Sequence, residues 1–361
     1  LPVLEERKEN MLDFNTCKID REYLVDSMRK LIEIPSPVSY YEEITPAVEK
    51  MAGELGYSLS CDRKRTLYLT VEGEESSKTV MVGAHLDTLG LIVRRIDSDG
   101  SLRVRPLGGI PFTSIEGETV TVHTRQGKKY TGLLVCQSHS THVFEDARTL
   151  ERNEETVLIR LDEKIGSRED VLALGIDNGD IVSIEPRFRY LPNGYVKSRF
   201  IDDKAGVAAV LAAVKYMRDY GIKPRYRTIF AFSFYEEINH GGAYLPKEVE
   251  EFVAVDIGLI GPDYNGNERS VSICAKDNFS PYDRGLTTRL VRTAKKLGLS
   301  YAVDVYYKYG TDANAAVRAG NNVYAAAFGM GCYCTHGMER THITGIEETV
   351  KLILGYVTES L

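Results

Sequence analysis

Apolar residues recur at three- and four-residue spacing between positions 21 and 34, a pattern that predicts a helix. Ile34-Pro35-Ser36-Pro37 stops it, because proline removes a backbone donor and biases its predecessor away from helix. A second helical pattern lies near 41–55. The run Thr79-Val80-Met81-Val82-Gly83-Ala84 is then apolar on both faces, as a central parallel strand needs. From Leu91 the pattern shortens to alternating segments such as Leu102-Arg103-Val104-Arg105 and Thr119-Val120-Thr121-Val122, separated by Gly, Asp and Asn turns. That predicts a small antiparallel β module.

After Asp180-Ile181-Val182-Ser183-Ile184 the alternation of helix and strand resumes, with helices predicted over 203–219, 282–297 and 346–356 and strands over 228–235 and 252–259. The same buried-strand grammar therefore stands on both sides of the β module. The expected fold is α/β: a mixed, mostly parallel sheet flanked by helices, with a small antiparallel β-barrel domain inserted into it. The expected division is 1–92 and 189–361 for the α/β domain and 93–188 for the insertion.

Composition narrows the function without naming it. The 361 residues carry 45 Lys and Arg against 52 Asp and Glu, a formal net charge of −7 with no long basic block. Such a surface does not neutralise phosphates, so no nucleic-acid partner is expected. No stretch of about twenty apolar residues occurs and the amino end is charged, which predicts no membrane association and a cytoplasmic address. Met11 is a candidate start. Six scattered cysteines do not form a disulfide framework in a chain of this length. Cys332-Tyr333-Cys334-Thr335-His336 resembles a soft-metal cluster, yet no second Cys/His group accompanies it, and buried thiols are the plainer reading.

Chemistry gathers where the apolar segments end. The first buried strand runs into His85-Leu86-Asp87, the strand over 228–235 into Glu236-Glu237, and the next into Asp256, while Asp202-Asp203 opens a helix. Ligands of open α/β sheets collect outside the carboxyl ends of strands, so these groups should converge on one crevice. Singly, each has a plainer explanation: Asp202 or Asp203 as a helix cap, the Glu pair as solvated loop charges, His85 as a packed core histidine. Together, carboxylates gathered around a histidine in one cleft repel one another unless cations compensate them. Mixed imidazole and carboxylate donors suit zinc, cobalt or manganese better than magnesium or calcium, and Zn2+ or Co2+ is expected. Of two adjacent glutamates, one can bind metal while the other stays free as a general base for a metal-activated water.

In order, Ala84-His85-Leu86-Asp87, Ile201-Asp202-Asp203-Lys204-Ala205-Gly206-Val207, Tyr235-Glu236-Glu237, Ala254-Val255-Asp256 and Thr335-His336-Gly337 resemble the glutamyl and deblocking aminopeptidase family. This metallopeptidase family includes the tetrahedral aminopeptidases and is often mislabelled as cellulase M. The resemblance implies a zinc-peptidase-like fold, with two divalent metal ions per subunit. His85 and Asp256 would hold one, Glu237 and His336 the other, and Asp202 would bridge them. It further implies Glu236 as catalytic base and Asp87 as the carboxylate that orients the ligand histidine. Gly310-Thr311-Asp312 resembles a substrate-contacting loop, though it could equally be a capped helical turn.

The β insertion would support homo-oligomers and shape a chamber for short peptides, whose amino-terminal residues would be hydrolysed. Where the family often has Ser-Pro and then Glu after its last ligand, this chain has Gly337-Met338-Glu339-Arg340-Thr341-His342. That leaves His342 as a competing ligand. His139 and His142 read as surface or interface residues, and His240 as a candidate for the cleft wall. Rival functions are a di-zinc dipeptidase, carboxypeptidase or deacylase on the same ligands, an endoglucanase, and a non-catalytic assembly protein.

Overall fold

In the computed structural model, residues 12–358 are described; Met11 and the charged amino end lie outside them. The large sheet runs in the order Leu59–Cys61, Leu67–Val71, Tyr226–Ser233, Glu75–His85, Val249–Val255, Tyr324–Cys332, Val271–Lys276 and Tyr301–Val305. The short strand Gly258–Leu259 pairs beside Tyr324–Cys332. The four middle strands are mutually parallel. Antiparallel pairs sit toward the two edges, where Leu67–Val71 meets Tyr226–Ser233 and Val271–Lys276 meets Tyr324–Cys332. The sheet is thus mixed with a parallel centre, as the doubly apolar runs require.

Alternation along the strands shows why both faces are apolar. Val80, Val82, Phe230 and Phe232 enter one core, where Met28 and Leu31 of helix Arg21–Glu33, Val207 and Leu211 of Ile201–Tyr220, and Val350 and Leu354 of Ile343–Thr358 meet them. Their neighbours Met81, Ile229 and Ala231 point the other way, into a second core with Ala313 and Ala316 of helix Asp312–Arg318. The period of two in a strand divides the residues between the cores.

The inserted module is a closed barrel of six strands: Gly90–Ile96, Leu102–Leu107, Val157–Leu161, Lys129–Cys136, Thr119–His123 and Ile181–Ile184. Closure leaves no open edge, and Leu91, Val93, Val104, Val120, Leu134, Ile159 and Val182 fill its interior.

Three local differences from the pattern matter for the site. The strand expected over 252–259 ends at Val255, so Asp256 leaves the sheet instead of pointing out of a strand. Helix Ile201–Tyr220 begins with non-helical backbone at Asp202 and Asp203, which are joined by a cis peptide bond. Glu339–His342 is a strand of a small three-stranded sheet with Arg189–Tyr190 and Tyr195–Ser198. Among the described residues no helix is long and apolar enough to cross a membrane.

Candidate metal centre

The carboxyl ends of the parallel strands deliver the polar groups to one place. His85 is the last residue of the central strand and is 2% exposed. Its Nε2 lies 3.1 Å from Asp202 Oδ1. The other carboxylate oxygen of Asp202 lies 3.8 Å from His336 Nε2, and that nitrogen is 3.6 Å from Glu237 Oε2. Ligand atoms of His85, Asp202 and Asp256 fall within 4.8 Å of one another, as do those of Asp202, Glu237 and His336. Asp202 belongs to both groups, with one oxygen turned toward each histidine.

Both histidines present Nε2 to the cluster because Nδ1 is engaged behind it. His85 Nδ1 donates to the Asp87 carbonyl at 2.9 Å, and His336 Nδ1 donates to the Gly109 carbonyl at 2.9 Å. A hydrogen bond at Nδ1 fixes the tautomer that leaves a lone pair on Nε2, the form a metal needs.

Burial and mutual repulsion govern the acids. Burial, with Asp202 next, pushes Asp256 up to about 7. Glu237 is raised well above the usual carboxylate range by burial and by Asp202, and Glu236 by burial together with Asp256, Asp312 and Glu237. Asp202 is held low despite its burial, because His85 and His336 face it. Burial opposes a charge on His85, but Asp202, Asp87 and Glu236 outweigh it and hold its imidazole well above the ordinary range. The donor set fits two divalent ions: each group offers an imidazole nitrogen and carboxylate oxygens within one coordination sphere, and the crowded negative charge wants compensation.

Glu236 stands outside both groups. Its Oε2 is 3.7 Å from His85 Nε2, and it lines the cavity of about 480 Å³ that opens above Asp202, Asp256 and His336. The 3-10 turn Glu236–Ile238 separates the two glutamates in direction, and Asp87 anchors that turn, accepting Glu236 N–H at 3.2 Å and Glu237 N–H at 3.1 Å.

Gly310 lines the same cavity, whereas Thr311 and Asp312 use their side chains below it. The Thr311 hydroxyl pairs with Tyr282 OH at 2.7 Å, and Asp312 accepts from Ser233 Oγ at 2.5 Å and Gly242 N–H at 2.7 Å. His342 is turned out of the centre by its strand: Nε2 donates to the Asn193 carbonyl at 2.9 Å and Nδ1 accepts Thr344 N–H at 3.1 Å. His240 stacks on Tyr235 and does not line the cavity. His139 and His142 are exposed in a barrel loop. Cys332 is a buried thiol and Cys334 an exposed one, and neither joins a ligand group.

Two acids escaped the sequence pattern. Asp203, for which a helix cap is the plainer reading, instead accepts the backbone N–H of His85 with Oδ2 at 3.2 Å, and its buried Oδ1 has no hydrogen-bond partner among the described residues. Glu339 accepts Asp202 N–H at 3.1 Å and His336 N–H at 3.0 Å. Its only signal was an acid three residues after a candidate ligand.

The model of the M42 glutamyl aminopeptidase family matches residues 66–352. The Bacillus subtilis (strain 168) protein named "Putative aminopeptidase YhfE" is 39% identical over 334 residues, 92% of this chain and 96% of that one. The lysyl aminopeptidase of Pyrococcus furiosus is 24% identical over 92% of this chain and 96% of its own length. Among solved structures, the TET1 peptidase of Pyrococcus horikoshii, described as assembling into a tetrahedron or a large octahedral shell, superposes with a TM-score of 0.81 at 25% identity, covering 93% of this chain and 99% of that one. The aminopeptidase APDkam598 of the archaeon Desulfurococcus kamchatkensis gives a TM-score of 0.84 at 21% identity over 94% and 95% of the two chains.

Proposed function

The chain belongs to the M42 glutamyl aminopeptidase family, and from that premise we propose that it releases amino-terminal residues from short peptides with two divalent ions, Zn2+ or Co2+. The observation that carries the reading is the split of Asp202 between two donor groups, with Glu236 left outside both. His85 and Asp256 would hold one ion, Glu237 and His336 the other, with Asp202 as the bridge. When bound, the pair supplies Lewis acidity that lowers the proton affinity of water and polarises a carbonyl.

The chain's own residues do the rest. Glu236 takes the proton of the attacking water and returns it to the leaving amine. Its burial favours that work, since a carboxyl raised from its ordinary range is a better base near neutrality. Asp87 holds the turn that carries Glu236 and Glu237, and its carbonyl orients His85. Gly310 forms part of the wall against which the peptide lies, and Thr311 and Asp312 support that wall from beneath.

The proposed division keeps 1–92 and 189–361 as the catalytic unit and 93–188 as the oligomerisation module, although the first barrel strand, Gly90–Ile96, starts three residues before that boundary. The shells described for the Pyrococcus horikoshii protein support a homo-oligomer here, built through the barrel. A cytoplasmic location accords with the absence of membrane-crossing helices among the described residues.

The test compares di- and tripeptides bearing free amino termini with their N-acetylated and carboxy-amidated forms, before and after dialysis against a chelator. Release of the first residue from free and amidated peptides, lost with the metal and restored by Zn2+ or Co2+, is expected. Cleavage of N-acetylated peptides, or a requirement for a free carboxyl end, would instead favour a deacylase or carboxypeptidase. Chelator-insensitive activity would remove the two-ion reading.

A further inference from the structure

We infer that the inserted barrel is a positioning part of the metal centre, because its turn Gly108-Gly109 sets the ring of His336 and thereby the affinity of the second ion position. The inference rests on the two-ion reading above.

The two positions are built differently. His85 is walled in at the end of a sheet strand and is oriented by Asp87, two residues along the same chain segment. His336 sits on a loop with left-handed backbone at φ 64°, and its side chain is 36% exposed. Its backbone is held by Glu339, but the hydrogen bond that aims its ring comes from the other module. The donor's partner is the carbonyl of Gly109, just after barrel strand Leu102–Leu107.

Gly108 shows how tightly that turn is seated. It lies at φ +81°, and a Cβ there would stand 2.5 Å from Leu89 Cδ2 and 3.3 Å from both Cβ and the carbonyl oxygen of Glu237. The turn therefore meets both residues that join Asp202 in the second group: it bonds His336 and leaves no free space for a side chain beside Glu237. A second tie holds the downstream end of the segment. Arg199, 2% exposed and three residues before Asp202, donates to the Ser114 carbonyl at 2.6 Å and to Glu118 Oε1 at 3.0 Å.

An imidazole whose rear hydrogen bond is lost rotates and changes tautomer, and such partners are worth about 10- to 100-fold in metal affinity. The loss should fall on one position only, since Asp256 and His85 are supported within the sheet domain.

The measurement is equilibrium dialysis of the full chain against Co2+, with the visible spectrum of bound Co2+ followed in parallel. Wild type should bind two ions. Gly108→Ala should keep one at wild-type affinity and bind the second about 10- to 100-fold more weakly, with an altered spectrum for that ion alone. Gly117→Ala is the control: it lies in the same barrel at φ +84°, but its Cβ would meet nothing within 4 Å. It carries the backbone strain without touching the site, and should keep both ions.

If Gly108→Ala does not fold, Gly109→Leu takes its place. Gly109 has no left-handed backbone, and its Cβ would stand 3.4 Å from His336 Nδ1, so a larger side chain presses on the ring. Two ions at wild-type affinity in the folded Gly108 or Gly109 variant would overturn the inference, as would equal loss in Gly117→Ala. A wild-type chain that binds one ion would sink the two-ion reading along with it.

Discussion

Glu339 holds the backbone of Asp202: one carboxylate oxygen accepts the Asp202 N–H at 3.1 Å, and the other accepts that of His336 at 3.0 Å. One buried side chain thus spans the bridging ligand and a ligand of the second position. Burial, with Asp202 next, pushes its carboxyl well above the ordinary range, and the two backbone donors resist that. Glu339→Gln keeps the volume but turns an amide donor toward one of the two N–H groups. We expect about 10- to 100-fold weaker metal binding with the fold retained, measured by isothermal titration with Zn2+. Unchanged affinity would leave Glu339 with no part in positioning the ligands.

Glu236 is separable from the ligands because it belongs to neither donor group. Glu236→Gln should therefore bind both ions as wild type does, while kcat falls about 10²- to 10⁴-fold with KM little changed. The combination is diagnostic. A drop in activity that tracks metal loss would make Glu236 a ligand, and undiminished kcat would place the base elsewhere.

His336 and His342 are six residues apart and meet opposite fates. Both ring nitrogens of His342 are occupied in the small sheet, by Asn193 and Thr344. His342→Gln should retain two ions and destabilise the fold by about 1 kcal/mol for each hydrogen bond lost, read by denaturant melts. His336→Gln should lose the second ion and, in the presence of chelator, cost no more than about 1 kcal/mol for its one ring bond to Gly109. Metal stoichiometry in the two variants decides between them.

Much of this centre was legible because buried parallel strands leave a strong pattern, and their polar terminations mark one edge of the sheet. His85, Glu236, Glu237 and Asp256 could be placed there from hydrophobicity alone. The strand Tyr324–Cys332, which leads to His336, has no such pattern: its Ala and Gly residues are weak strand formers, and tertiary burial overrides their propensity. His336 was found by resemblance instead. Asp203 misled for the opposite reason. A local rule favours Asp as a cap, but here the partner is the N–H of His85, 118 residues away in the chain. Glu339 likewise acts on Asp202 across 137 residues. Carboxylates that grip backbone over such separations leave no periodic trace.

The junction between barrel and catalytic domain should be acid-sensitive through His123. This histidine ends barrel strand Thr119–His123, is 5% exposed, and shares a 2.8 Å hydrogen bond with Ser183 Oγ. Across the junction it meets the Tyr40 ring, and its Nδ1 lies 3.6 Å from Glu43 Oε1 without a hydrogen bond. Lys129 binds the other oxygen of that carboxylate at 2.7 Å. Burial, aided by Lys129 and opposed by Glu43, lowers the imidazole to about 4 from its ordinary 6.5. Between those values the unfolded chain binds a proton that the folded one refuses, so stability falls as pH drops through this window. Near pH 5 unfolding should take up close to one extra proton on this account. Calorimetric melts from pH 7 to 4 should show a steeper fall in Tm for wild type than for His123→Gln, whose side chain cannot titrate. Parallel curves for the two proteins would mean that His123 does not control the junction.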